Sequence, residues 1–211
     1  MTLSSQSFNV ETVVHEFGHN LGLAHSGFWQ CSSAPEYVGE DIYDPRSGGC
    51  WNYVYGAGYD SMAVRIWHYN AYHKLMAGIL DESAFERVET PGTYTLKALA
   101  TDSPTGTMGL RIPLYGDVYY LLEYRQARGF DSLASMPDYV GPDRPPMVEG
   151  VAVWLVLDES RTGGDSYIIQ DGSFQLMVRP GVDFYDPYRG IRVSWIEQSG
   201  DEHARISIEF E

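Results

Sequence analysis

The stretch His15-Glu16-Phe17-Gly18-His19-Asn20-Leu21-Gly22-Leu23-Ala24-His25 decides how the first part of this chain is expected to fold. Residues 11–21 read as a helix. Asn9 suits its N-cap, and Glu11 and Glu16 suit the first turns, where carboxylates meet the positive end of the helix dipole. His15 and His19 are four apart, and four steps of about 100° return both imidazoles to nearly one face. Gly22 ends the helix, because a residue without Cβ takes positive φ at little cost, and the turn brings His25 back towards the other two. Three imidazole nitrogens leave the fourth position of a tetrahedral zinc open for water. Glu16 lies beside them, able to reach that water without ligating the metal. The alternative is a surface helix that happens to be His-rich. Half of the six histidines fall in these eleven residues, in the one register that builds a site, which argues against it.

The eleven residues resemble the metzincin signature of zinc endopeptidases, with His15, His19 and His25 as ligands and Glu16 as general base. Tyr59-Asp60-Ser61-Met62-Ala63 looks like the Met-turn of that group, with Met62 packed beneath the ligands. The segment from Tyr55-Gly56 to Met62, then Tyr69-Asn70-Ala71-Tyr72-His73-Lys74-Leu75, resembles the gametolysin-like secreted peptidases. Tyr119-Tyr120-Leu121-Leu122-Glu123-Tyr124-Arg125 does too, and is also similar to immune-inhibitor-A-like peptidases. The resemblance implies peptide hydrolysis by a zinc-activated water, with Glu16 taking its proton and passing it to the leaving amine.

Two departures matter. Astacin-like and serralysin-like members carry a Tyr two residues after the Met, and here that position is Val64. Metzincins also place a sheet and a helix before the zinc helix, whereas 14 residues precede His15 here. The expected fold is therefore α+β: the lower half of a metzincin catalytic domain, mostly helix and loop, followed by an antiparallel β-sandwich. With that upper half missing upstream, Val13, Val14, Phe17 and Leu21 are expected to leave an apolar patch beside the site, and residues 1–211 alone to be a poor protease. The segment from Val64 to Tyr69 would wall the pocket beyond the scissile bond.

Residues 26–59, dense in Gly, Ser, Pro and Asp, read as loop. A second helix is expected over about 70–80, where Ala71, Leu75, Ile79 and Tyr72, Met76, Leu80 recur at helical spacing. Beyond about residue 81 the character changes. Strands are expected at 94–99, 109–113, 118–124, 151–157, 174–178, 191–195 and 204–210; in the last, Ile206, Ile208 and Phe210 fall on one face. Seven short strands separated by Gly, Pro and Asp turns suggest a sandwich. The division drawn is 1–85 for the zinc-binding part and 86–211 for the β-sandwich.

The chain of 211 residues has 14 Lys plus Arg against 29 Asp plus Glu, a net charge of −15. Such a surface repels phosphate backbones and anionic membranes, which argues against nucleic-acid or membrane partners. No run of 18 apolar residues suggests a spanning helix. The first ten residues do not read as a signal peptide, so secretion would be directed from upstream. The two cysteines, Cys31 and Cys50, are either a disulfide around the loop or two separate buried thiols. The disulfide is expected because a secreted protease meets an oxidising compartment. Trp29 and Trp51 flank them, as packing for the loop or as pocket lining.

His68 and His73 are five apart without a third partner and read as polar or half-buried side chains; His203 reads as surface. Asp158, Glu159, Asp165 and Asp171 surround a Gly-rich turn. They read as solvated carboxylates, with calcium as the alternative. The expected function is a zinc-dependent metalloendopeptidase, secreted, acting on protein or peptide, with the sandwich bracing it or binding an extracellular polymer. The rivals are a non-catalytic binding or adhesion module and an inert truncated fragment that keeps the zinc site.

Overall fold

The computed structural model describes residues 10–31, 50–63, 67–103, 105–132, 149–157, 165–171, 174–175 and 177–211. Asn9, Val64, Asp158 and Glu159 lie outside them, as does the side chain of Asp171. Two helices and thirteen strands are described: α1 Val10–Asn20, β1 Ser26–Cys31, β2 Cys50–Tyr53, α2 Ala71–Met76, β3 Phe85–Arg87, β4 Gly92–Lys97, β5 Gly109–Tyr115 and β6 Val118–Arg125. The chain continues with β7 Gly150–Val156, β8 Ser166–Asp171, β9 Phe174–Gln175, β10 Met177–Val178, β11 Phe184–Asp186, β12 Ile191–Ser199 and β13 His203–Phe210.

The larger sheet runs β2-β1-β8-β7-β6-β5-β3, with β10 on β7 and β9 on β8; the smaller runs β11-β12-β13-β4. Leu96, Ile112, Tyr120, Val153, Phe184 and Ile206 pack in the core that the two sheets share. The central strands of the larger sheet are buried on both faces, as continuous apolar strands must be. Along β6, Tyr120, Leu122 and Tyr124 belong to the core shared with the smaller sheet. Leu121 belongs instead to the second core, with Ala71 and Tyr72 of α2 and Trp154 of β7. That second face carries the candidate site. All seven strands expected between 94 and 210 are present within a few residues of their expected bounds, the segment 174–178 divided between β9 and β10.

The expectation of a first part made mostly of helix and loop is overturned. The chain is mainly β, with an 11-residue and a 6-residue helix. Residues 26–31 and 50–53, inside the segment read as loop, form β1 and β2, which pair antiparallel with Phe28 opposite Tyr53 and Cys31 opposite Cys50. The Gly, Ser and Pro content hid two short strands whose aromatic residues, Phe28, Trp29, Trp51 and Tyr53, favour extended backbone. β1 also pairs parallel with β8, and β3 parallel with β5, so the larger sheet is mixed and draws strands from both sides of residue 85. The second helix is shorter than expected. Asn70 caps it by accepting from the His73 N–H, and Gly78, at φ 69°, follows its end.

Cys31 and Cys50 form the disulfide, with Cα atoms 3.9 Å apart. Trp29 is fully buried, whereas Trp51 stands exposed. Val10, Val13 and Phe17 are exposed on α1 and Leu21 just after it, and Val14 is half-buried. No helix among the described residues is long and apolar enough to cross a membrane.

Candidate metal centre

α1 presents His15 and His19, and its end is built as the sequence requires. Gly22 takes φ 83°, its N–H meets the His19 carbonyl, and the Leu23 N–H reaches back to the Gly18 carbonyl. This pair of bonds closes the helix and reverses the chain. His25 then enters just before β1.

The three imidazoles come together. Their candidate ligand atoms all lie within 4.8 Å of one another, and this is the one such group among the described residues. The Nε2 atoms of His19 and His25 are 3.1 Å apart. Two nitrogens on a tetrahedral zinc, each about 2.0–2.1 Å from the ion, stand roughly 3.3 Å apart, so this edge fits such an ion. The His15 Nδ1 lies 3.1 Å from the Ser61 carbonyl and the His19 Nδ1 2.9 Å from the Leu23 carbonyl. A carbonyl can only accept, so both Nδ1 atoms carry the proton, which leaves each Nε2 unprotonated and able to ligate a metal. Burial, and then the neighbouring His19 and His15, push the His25 pKa down, which favours the neutral imidazole that a metal needs. Glu16 lines an open cleft of about 240 Å³ with His15, Ser61 and Tyr55.

The turn at 60–63 is buried beneath the helix. A Cβ at Gly18, between the two helical histidines, would overlap the Met62 sulfur and stand 3.2 Å from the Tyr69 hydroxyl. The residue between the two helical histidines is thus the one that lets Met62 reach the helix. Tyr69 donates to the Val14 carbonyl at 2.7 Å. The Ser26 N–H donates to the Met62 carbonyl at 3.1 Å, tying the segment after His25 to the same turn.

Side chains that the sequence motifs contain, but to which no such role was assigned, hold this turn. Asp60 is fully buried; its carboxylate accepts from the Met62 N–H at 2.6 Å and the Asn70 N–H at 2.7 Å, with His73 Nδ1 at 3.1 Å. Burial alone would raise the Asp60 pKa, but His73 and these backbone N–H groups hold it below the ordinary carboxylate value. The Ser61 hydroxyl is engaged with the N–H and the carbonyl of Trp67. Asn70 Nδ2 bridges the hydroxyls of Ser26 and Ser166, at 3.3 and 2.9 Å.

A buried ion network ties the site to the sheet. Glu123 accepts from Arg125 Nε at 2.7 Å, Trp154 Nε1 at 2.9 Å and the Ala71 N–H at 2.5 Å. Arg125 also donates to Asp131 at 3.1 Å, and Asp131 accepts from the His68 N–H at 2.9 Å. The signal in the sequence was two charged residues, 123 and 125, on one face of an otherwise apolar strand. His68 is half-buried, its ring 5.5 Å from Phe130, while His73 is fully buried, and neither joins the metal cluster. Of the acidic group weighed for calcium, Asp165 accepts from the Tyr167 hydroxyl at 3.1 Å.

No protein-family model, no curated protein and no solved structure matches this chain.

Proposed function

We propose that this chain is a zinc-dependent metalloendopeptidase of the metzincin kind, similar to the gametolysin-like peptidases. The observation that carries the reading is the fixed pair His15 and His19, each Nδ1 held by a backbone carbonyl, converging with His25 while Glu16 stands at the adjoining cleft. Zinc at this point would lower the pKa of a water towards about 7 and polarise a peptide carbonyl. Glu16 takes the proton as the water attacks the carbonyl carbon. It returns the proton to the leaving amine as the C–N bond breaks, giving one carboxylate end and one amine end. The open cleft suits a polypeptide passing across it, and the net charge of −15 disfavours polyanionic substrates. The disulfide is consistent with secretion.

The test is metal content by mass spectrometry together with chelator-sensitive cleavage of casein. Wild-type protein should take up one zinc per chain, and His19→Ala should lose it. Glu16→Gln should keep zinc and lose cleavage by two or more orders of magnitude, because the proton acceptor is gone. Zinc stoichiometry unchanged in His19→Ala would sink the site. Full turnover by Glu16→Gln would remove the general base. Zinc uptake without any hydrolysis would favour the non-catalytic readings, a binding module or an inert fragment that keeps the zinc site.

A further inference from the structure

Tyr55 is the one described non-glycine residue with a left-handed backbone, at φ 71°. A side chain that crowds its own backbone costs free energy there, and such residues persist where surrounding structure over-determines them, often at working sites. The surroundings at Tyr55 do this. The Gly56 N–H reaches back to the Tyr53 carbonyl at 3.3 Å, and a Cβ at Gly56 would overlap the ring of Phe28. Phe28 lies opposite Tyr53 in the β1–β2 pair. The turn is thus pressed onto the strand that leaves His25. Its outcome is that the Tyr55 ring stands 4.1 Å from the His25 ring and 5.9 Å from that of His15.

Tyr55 also keeps 41% of its surface exposed and lines the same cleft as Glu16. Thr12, on α1, also lines the cleft and already has an interaction of its own; the remaining described groups there are poorly suited to donate a hydrogen bond to a substrate. Glu11 and Glu16 carry carboxylates, which accept. The His15 Nδ1 proton is held by the Ser61 carbonyl, and the Ser61 hydroxyl is held by Trp67. Tyr55 lines the cleft, and its phenol has no hydrogen bond to a described residue. A reaction that turns a neutral carbonyl oxygen into an oxyanion gains most from a donor fixed in advance at that point.

We propose that Tyr55 is a catalytic residue whose hydroxyl donates a hydrogen bond to the carbonyl oxygen of the scissile peptide as that oxygen becomes an oxyanion. The inference rests on the peptidase reading above. The proton stays on the phenol throughout, and no bond to Tyr55 forms or breaks. The strained turn holds the ring over His25 before substrate arrives, so little reorganisation is left for the reaction itself.

Three proteins decide it: wild type, Tyr55→Phe and Tyr55→Ala. Each is measured for zinc content, for kcat and KM on a fluorogenic peptide, and for affinity towards a phosphinic peptide that mimics the tetrahedral oxyanion. Calorimetry reads the last quantity without any turnover. Tyr55→Phe should keep its zinc and its KM, and lose kcat by about 100-fold, the lower end of the range for a single oxyanion donor. Its affinity for the phosphinic peptide should fall by a similar factor. If Tyr55→Phe matches wild type in kcat and phosphinic affinity, the proposal is wrong. Should Tyr55→Ala alone then lose zinc, the ring merely braces His25. Wild-type protein that takes up no zinc sinks the peptidase reading and this proposal together. Wild-type protein that binds zinc and the phosphinic peptide, beside an unimpaired Tyr55→Phe, sinks this proposal alone.

Discussion

Replacing Arg125 by Met should cost this fold about 3–5 kcal/mol at neutral pH, the range for removing one partner of a buried ion pair. The reasoning is a charge count. Arg125 and Glu123 are each fully buried at 2.7 Å, and Arg125 reaches Asp131, also fully buried, at 3.1 Å. One cation between two carboxylates is tolerable; two carboxylates facing each other are not. Met has a similar stem and no charge, so packing is largely kept and the electrostatic loss stands alone. The pH dependence follows from the sign of the carboxylate shifts. Burial already holds the Asp131 pKa above its ordinary value even with Arg125 beside it. Without Arg125 the Asp131 carboxyl shifts further up. A carboxylate with a raised folded pKa favours the fold below its unfolded pKa, and that contribution is lost as pH rises through the folded pKa. The gap between variant and wild type should therefore be widest near pH 7 and narrow as pH falls towards the carboxylate range. The assay is urea unfolding followed by tryptophan fluorescence, Trp154 being bonded to Glu123. The expected fall in Tm is on the order of 10 °C, at about 2–4 °C per kcal/mol for a chain of this size. A loss under about 1 kcal/mol, or a gap that widens on acidification, would refute the argument.

Two further outcomes are expected. Removing the Cys31–Cys50 bond by a double change to Ala should lower stability by about 3 kcal/mol, the chain-entropy value for a sequence separation of 19, with thermal melts of oxidised and mutant protein as the measure. An unchanged melt would show that strand pairing alone holds β1 to β2. Gly18→Ala gains up to about 1 kcal/mol in helix propensity, but the new methyl meets buried Met62, and overpacking costs about 1–3 kcal/mol. Net destabilisation with weaker zinc affinity is expected, relieved when Met62→Ala is added; an isolated Gly18→Ala more stable than wild type would contradict the packing.

How much of this could be read from residues alone differs between the two halves of the problem. The triad was legible because helix geometry fixes His15 against His19 and Gly22 fixes the reversal; these are local rules. The late strands were legible because alternation is also local, as in Ile206, Ile208 and Phe210. β1 and β2 were not, since a four-residue strand such as Cys50–Tyr53 declares itself only through its partner. β8 escaped for the same reason, being fixed by β1 and β7. Asp60 and His73 lie 13 residues apart and Glu123 and Asp131 eight, and nothing in a local pattern says that each pair is buried together. Tyr55 is a similar case, because its conformation follows from Phe28 and Gly56 rather than from its own preference.

The parallel pairing of β1 with β8 sets an order of assembly. Ser26, next to the third histidine, pairs with Ser166, 140 positions later, and the two hydroxyls lie 3.2 Å apart. The Ser166 N–H also reaches the His25 carbonyl at 3.4 Å. At roughly 5–20 residues per second, a ribosome that has already released His15, Glu16 and His19 needs on the order of ten seconds more to supply that strand. Contacts this distant in sequence also form slowly, because a long loop must close first. An unfinished copy therefore carries every residue of the motif before the strand that pairs beside His25 has been made. The setting of the histidine cluster is thus complete only when the sheet is, since the strand that flanks His25 lies 140 positions further on.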